Sequence, residues 1–332
     1  MKTKQTFVYG ARNFFAIAVV LALAFTALAL TGCPNDPGGS TGGKTTPTTT
    51  PTTNPTYPNW MVKIPAGTFT MGSNDAQDSI EGATSASPPH SVTLTSFYLG
   101  KYEVTQKEYT DVMGSLPSSL SSDTYGKGNN YPVYYVSWYD ALVYCNKLSI
   151  KEGLTPAYSI NGKTNPTEWG AVPTTTNATW NAVTIVSGSK GYRLPTEAQW
   201  EYACRAKTTT AWHCGAADTN LGEYAWYSAN SGDNGGASTN NGKSHEVGKK
   251  KANAFGLYDM HGNVWEWCWD WYEAYADPAE AKTDPVGASS GSDRVERGGS
   301  WNDTAQCARS AFRAEDDPYG YTVGFRLLRP AQ

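Results

Sequence analysis

The stretch RGGSWNDTAQCARSAFR, residues 297–313, sets a lone cysteine, Cys307, shortly after a Gly-Gly turn and a tryptophan. A thiolate there could act as a nucleophile, as a soft ligand for copper, or as half of a disulfide. Five other cysteines could join it: Cys33, Cys145, Cys204, Cys214 and Cys268. Other catalytic signals are weak. His90, His213, His245 and His261 have no zinc-ligand spacing, and the chain has no Gly-x-Ser-x-Gly elbow or phosphate loop. The same region offers a different chemistry, recognition. Asn302, Asp303, Thr304, Phe312, Ala314, Asp316, Asp317, Tyr319, Gly320, Tyr321 and Thr322 stand among scaffold residues such as Arg297, Gly298, Gly299, Gly324 and Arg326. Tyr and Phe give broad, rigid contact area, and Asp, Asn and Thr give adaptable hydrogen bonds, which is the composition of a binding surface. Trp301 is expected in the core and Arg313 as a structural donor.

Such residues need a frame, and three helix starts are legible. Thr105 with Glu108, Ser137 with Asp140, and Thr196 with Gln199 each pair an N-cap hydroxyl with an acceptor three residues on. In the second helix Ala141, Tyr144, Cys145 and Leu148 recur at helical spacing and make one apolar face. The stretch HSVTLTSFYLGKYEVT reads as a strand or two, and residues 211–251, rich in Gly, Ser and Asn, should hold little regular structure. Twelve tryptophans and twenty-one tyrosines among many glycines point to a loop-rich body pinned by large aromatic side chains.

The chain opens with Lys2, Lys4 and Arg12, then an apolar run over residues 14–30 and LTGC. This reads as a signal peptide, residues 1–32. Gly32 before Cys33 resembles the lipobox of bacterial lipoproteins, which implies a lipid on Cys33 and an anchored, not spanning, protein. Residues 33–59, rich in Thr, Pro and Gly, cannot bury enough apolar surface to order themselves and read as a tether. The remainder, 60–332, is long for one domain but within range. The formal charge is −4, and loss of the three leader cations leaves −7, so a nucleic-acid partner is not expected.

Seven blocks occur in one order: IPAGTFTMGS, KYEVTQKEY, PVYYVSWYDALVYCN, YRLPTEAQWEYACRA, NAFGLYDMHGNVWEW, RVERGGSW and VGFRLL. Together they resemble the formylglycine-generating enzyme (sulfatase-modifying factor) family, from about residue 61 to 328. The resemblance implies an α+β, C-type-lectin-like fold with little regular secondary structure, in one domain. The family's enzymes oxidise a substrate cysteine with two cysteines placed after the Gly-Gly-Ser-aromatic turn. Those two places hold Asp303 and Ala308 here, so the resemblance implies a lost activity and no copper. It also implies a Cys204–Cys307 disulfide, and it leaves Cys145 a buried free thiol, because its partner position is Leu327. Cys214 and Cys268 stay unassigned. In the family the DMHGNVWEW block binds calcium, and the ligands carry over as Asp259 and Glu266 through side chains and Gly262 and Val264 through carbonyls.

The C-terminal part, about residues 289–326, is similar to the variable proteins of diversity-generating retroelements. These end a C-type-lectin-like domain in a GFR block and vary residues encoded by adenine-rich codons. Asp, Thr, Phe, Ala, Tyr and Gly are all reachable from an Asn codon by changing adenines. The expectation is a binding protein lipid-anchored to a bacterial membrane, the outer membrane, and exposed at the cell surface, contacting a protein or glycan through this region. The competing readings are an oxidoreductase, or another enzyme, of the sulfatase-modifying type, and a purely structural envelope protein.

Overall fold

A computed structural model of the chain describes residues 57–78, 86–121, 124–238, 241–275, 281–318 and 323–331. The expected leader 1–32, the lipidation site Cys33 and residues 33–56 of the tether lie outside them. Tyr57, at the end of that tether, is already built into the body. Its ring stacks on Tyr98 at 3.5 Å and its hydroxyl donates to the Pro330 carbonyl at 2.9 Å, so the folded body begins before residue 60.

Eleven short strands are described: β1 (Met61–Ile64), β2 (Gly67–Met71), β3 (His90–Leu94), β4 (Phe97–Gly100), β5 (Tyr158–Ser159), β6 (Thr184–Ile185), β7 (Glu266–Trp271), β8 (Lys282–Thr283), β9 (Arg294–Arg297), β10 (Ala314–Asp316) and β11 (Leu328–Pro330). The expected strand pair is β3 and β4. The helices are α1 (Gln106–Met113), α2 (Ser118–Ser121), α3 (Trp138–Lys151), α4 (Ala178–Asn181) and α5 (Glu197–Arg205). All three expected capping boxes are formed, at Thr105, Ser137 and Thr196, so local sequence alone fixes where the long helices start. Among the described residues between 211 and 251 the helical elements are two 3-10 turns, Asp218–Glu223 and Asp233–Gly235.

Strand β4 lies between β1 and β11, antiparallel to both, and brings the two ends of the body together. A second sheet runs β10-β9-β7, a third β2-β3-β8, and β5 pairs with β6. The fold is α+β and C-type-lectin-like, with modest regular structure. One hydrophobic cluster gathers α3 with Trp267, Phe325 and Leu327; another gathers α5 with β3, β4 and Val295. Helix α5 is buried over its whole length, so its carboxylates must be paired inside. The partners come from the C-terminal segment. Arg313 grips Glu197 through two bonds of 2.5 and 2.8 Å, and Arg297 bonds Glu201, which also accepts from Arg205 at 2.8 Å. Arg313 is thus the structural donor that its sequence context implies.

Candidate functional site

The turn after β9 is shaped by Gly299, whose φ of +73° favours glycine and where a Cβ would sit 3.0 Å from the Cys307 backbone. Residues 300–304 then fold over the top of that turn. The Asp303 carboxylate does not reach outward. It accepts from the Ser300 amide at 3.0 Å and from the Ser300 hydroxyl at 2.5 Å. Burial raises its pKa, while hydrogen bonds from Ser300 and Trp265 lower it. Asn302 and Thr304, on either side, are exposed.

Cys307 is buried, with Thr304 its nearest polar neighbour at 4.0 Å. Burial first, and then the charge of Asp303, push its thiol up to about 12. At neutral pH such a thiol is not a thiolate, and it is a poor nucleophile and a poor soft-metal ligand. The Cys204–Cys307 disulfide is not present: both are free thiols. Cys204 faces Ser310 at 3.7 Å, the Met260 carbonyl at 3.5 Å and the His261 ring. The residue opposite Cys204 is three positions beyond the expected one. Cys145 is a fully buried free thiol, as expected.

Two aromatic residues depart from expectation. Phe312, expected on a ligand face, is 3% exposed; its carbonyl accepts from Arg297 and its ring packs toward Trp265 at 6.1 Å. Phe312 is core. Trp301, expected in the core, is half-buried and stacks on Tyr125 at 5.1 Å, a ring 46% exposed. Trp301 still packs against the hydrophobic cluster of α3 on its buried side, while the bond from Arg297 holds the Phe312 backbone inside. Ala314 and Asp316, on β10, and Asp317 after it are half-buried. Tyr319, Gly320, Tyr321 and Thr322 lie outside the described residues. The structure therefore brings Asn302, Asp303 and Thr304 together with Trp301 and Tyr125. Sequence reading missed Tyr125, whose one signal is an aromatic ring alone in the polar loop SSDTYGKGNN.

The calcium set is only partly convergent. Asp259 is 2% exposed; its Oδ2 accepts from the Gly248 amide at 2.7 Å, and its Oδ1 accepts from nothing. Both oxygens of Glu103, 1% exposed, are likewise unpartnered. Burial lifts the Asp259 carboxyl to about 6 and raises that of Glu103, with Asp259 next among the causes there. Glu266 is already engaged: it accepts from the Trp200 indole at 2.7 Å and from Arg326 at 2.6 and 2.5 Å. Gly262 donates its amide to the Gly298 carbonyl at 2.7 Å. Among the described residues no three His, Cys, Asp or Glu side chains form a group that could hold a metal. Of the four expected ligands, Asp259 is the one whose side chain offers a buried, unpaired oxygen of the kind a hard cation seeks.

The sulfatase-modifying factor enzyme 1-like domain matches residues 46–331, nearly all of the folded body. The chain belongs to that family. It is 39% identical over 248 residues to the chaperone protein LppX of Paenibacillus barcinonensis, covering 72% of this chain and 81% of that protein. It is 29% identical to the formylglycine-generating enzyme of Bos taurus, covering 81% of this chain and 74% of the enzyme. Among solved structures it resembles Treponema denticola variable protein 1, with a TM-score of 0.70 and 36% identity over 81% of this chain and 94% of that one. The resemblance to the family and to a variable protein, implied by the motifs, is thereby established. Among the described residues no helix is long and apolar enough to cross a membrane.

Proposed function

We propose that this chain is a binding member of the family and not an enzyme, held on the outer face of a bacterial membrane by a lipid on Cys33. It presents the surface around Tyr125, Trp301, Asn302 and Thr304 to a protein or glycan ligand. The observation that carries this reading is at the two positions of the lost cysteine pair. Asp303 is bonded back onto Ser300, the Ala308 carbonyl sits 2.7 Å from the His261 ring, and the one nearby thiol, Cys307, is raised to about 12. A relative described as a chaperone and a structural neighbour described as a variable protein support a binding role. Calcium is part of the same proposal, held by Asp259 with the carbonyls of Gly262 and Val264 and serving the fold. Glu266 keeps Arg326 in place beside it.

The test is to incubate the protein with copper, oxygen and a peptide carrying a sulfatase-type cysteine motif, and to look for the aldehyde by mass spectrometry. No product above a protein-free control is expected, and clear turnover would return the chain to the enzymes. Thermal melts of the same sample in chelator and in millimolar calcium should differ by a few degrees for the wild type and not for Asp259→Asn. Identical wild-type midpoints would remove calcium from the proposal.

A further inference from the structure

On another part of the body, sharing only Arg313 with the 297–313 segment, lies a cavity of about 460 Å³. Its floor is the start of α5 and the end of β7, and its walls include His90, Trp271, Tyr275 and the residues that follow β8. The charges on the floor are not all spent. Glu197 and Arg313 close on each other through two bonds, and Arg313 is further held against the Tyr272 and Tyr275 rings at 4.5 and 4.0 Å. That pair is neutral and has no capacity to attract a charged guest.

Asp270 is different. It is 5% exposed and lines the cavity, and its Oδ2 accepts from the Glu197 amide at 2.8 Å. No hydrogen bond from the described residues reaches Oδ1, and Asp270 takes part in no ion pair. The carboxyl is lifted to about 7 by burial and by Glu197, against the lowering charges of Arg313 and Arg294. Gly287, at φ +75°, packs so closely against the acid that a Cβ there would lie 2.7 Å from Oδ1 and 2.8 Å from the Asp270 Cβ.

We infer that this cavity binds an alkylammonium or guanidinium group, with Asp270 Oδ1 as its counter-charge. Trp271 and Tyr275, which hold Arg294 and Arg313 at 3.3 and 4.0 Å, supply aromatic walls for a cation and its aliphatic stem, and the lining also includes a second acid, Glu273, and one lysine, Lys282. A neutral guest of the same shape would leave Asp270 desolvated and unpaired, so charge is the source of selectivity. The site is independent of the binding face described above, and either can fail without the other.

The experiment uses isothermal titration at pH 8 with Nα-acetyl-lysine amide, Nα-acetyl-arginine amide and cadaverine as probes, and with Nα-acetyl-norleucine amide as the neutral isostere. At least one cationic probe should bind at least tenfold more tightly than the isostere. Binding by the blocked amino acids alone identifies a peptide side chain as the guest, and binding by cadaverine alone identifies a free polyamine. Asp270→Asn, which keeps the acceptor for the Glu197 amide, should lose at least tenfold in affinity. Should that variant fail to fold, Val286 gives a second route. It lines the cavity and is 54% exposed, so V286K and V286E leave the core untouched. V286K should weaken binding severalfold and V286E strengthen it. Equal binding of the neutral isostere, an unchanged affinity in folded Asp270→Asn, or no response to either change at Val286 would overturn the assignment.

Discussion

Arg297 and Arg313 are buried and each is fixed to a carboxylate of α5, whereas Asn302 and Thr304, which lie between them in the chain, face solvent. The contrast separates what the fold can change from what it cannot. A buried guanidinium and its carboxylate are desolvated together, and removing one strands the other, so such pairs are altered jointly or not at all. The turn at 300–304 meets its needs locally, through the Ser300–Asp303 bonds, and its exposed positions are unconstrained by packing. That difference explains how the side chains at 302 and 304 can change while the frame around them persists.

The comparison breaks first if the buried lattice proves dispensable. Arg326→Leu leaves Glu266 without its two strongest donors, beside Asp259 and the unpartnered Glu103. A loss of about 3–5 kcal/mol in chemical denaturation is expected. A loss below about 1 kcal/mol would show that these charges are not holding the fold together.

Next in size is the exchange of roles between two aromatic residues. Phe312→Ala should cost about 3 kcal/mol as a core deletion, and Trp301→Ala about 1–2 kcal/mol, because Trp301 is half-buried, packing on the edge of the α3 cluster and on Tyr125. The reverse order in denaturant midpoints would restore the sequence expectation and undo the boundary between core and face drawn at these residues.

A third prediction concerns protons on the core side of that boundary. His213 has two buried ring nitrogens with no partner, and burial lowers its pKa to about 4. His261, stacked on it at 4.6 Å, is lowered too, by burial and then by His213. A histidine held neutral binds fewer protons when folded than when unfolded. Its contribution is therefore intact above 6.5 and is lost as pH falls toward 4. Asp259 and Asp270, raised to about 6 and about 7, act in the opposite sense over much of the same range, gaining as pH falls, so the wild-type curve alone mixes the two. His213→Phe removes one contribution and leaves the acids. The stability of the wild type relative to this variant should fall by on the order of 2 kcal/mol between pH 7 and pH 4. A constant difference would show that His213 titrates normally.

Much of the frame was legible because its signals are local. A hydroxyl and an acceptor three residues apart define a helix start wherever they occur, and Thr105, Ser137 and Thr196 all behave so. The ordered motif blocks gave the fold. Burial after residue 300 was not legible, because no period of two or 3.6 runs through TAQCARSAFR. Phe312 lies inside where Arg297 bonds its carbonyl, a contact that no spacing encodes. The same holds for Cys204, which meets Ser310 in place of Cys307, and for Asp270, which packs against Gly287.

The smallest expected effect is the sharpest test of the exposed side. Asn302 and Thr304 are exposed, and Asn302 takes part only through its backbone amide, which donates to the Ser300 hydroxyl at 3.3 Å. Thr304 Oγ1 has only a 4.0 Å contact to the Cys307 sulfur. Replacing both side chains with alanine therefore leaves the backbone bonds of the turn in place and uncovers no core. The double variant should keep its unfolding free energy within about 0.5 kcal/mol of wild type, as exposed substitutions do. Asp303→Ala makes the informative partner, since it removes the carboxylate that ties the turn to Ser300, and it should cost more, about 1 kcal/mol. Chemical denaturation of the two variants side by side reads both numbers. If the double variant is the less stable of the two, the side chains at 302 and 304 serve the fold, and the face proposed for ligand contact loses its claim to be free of it.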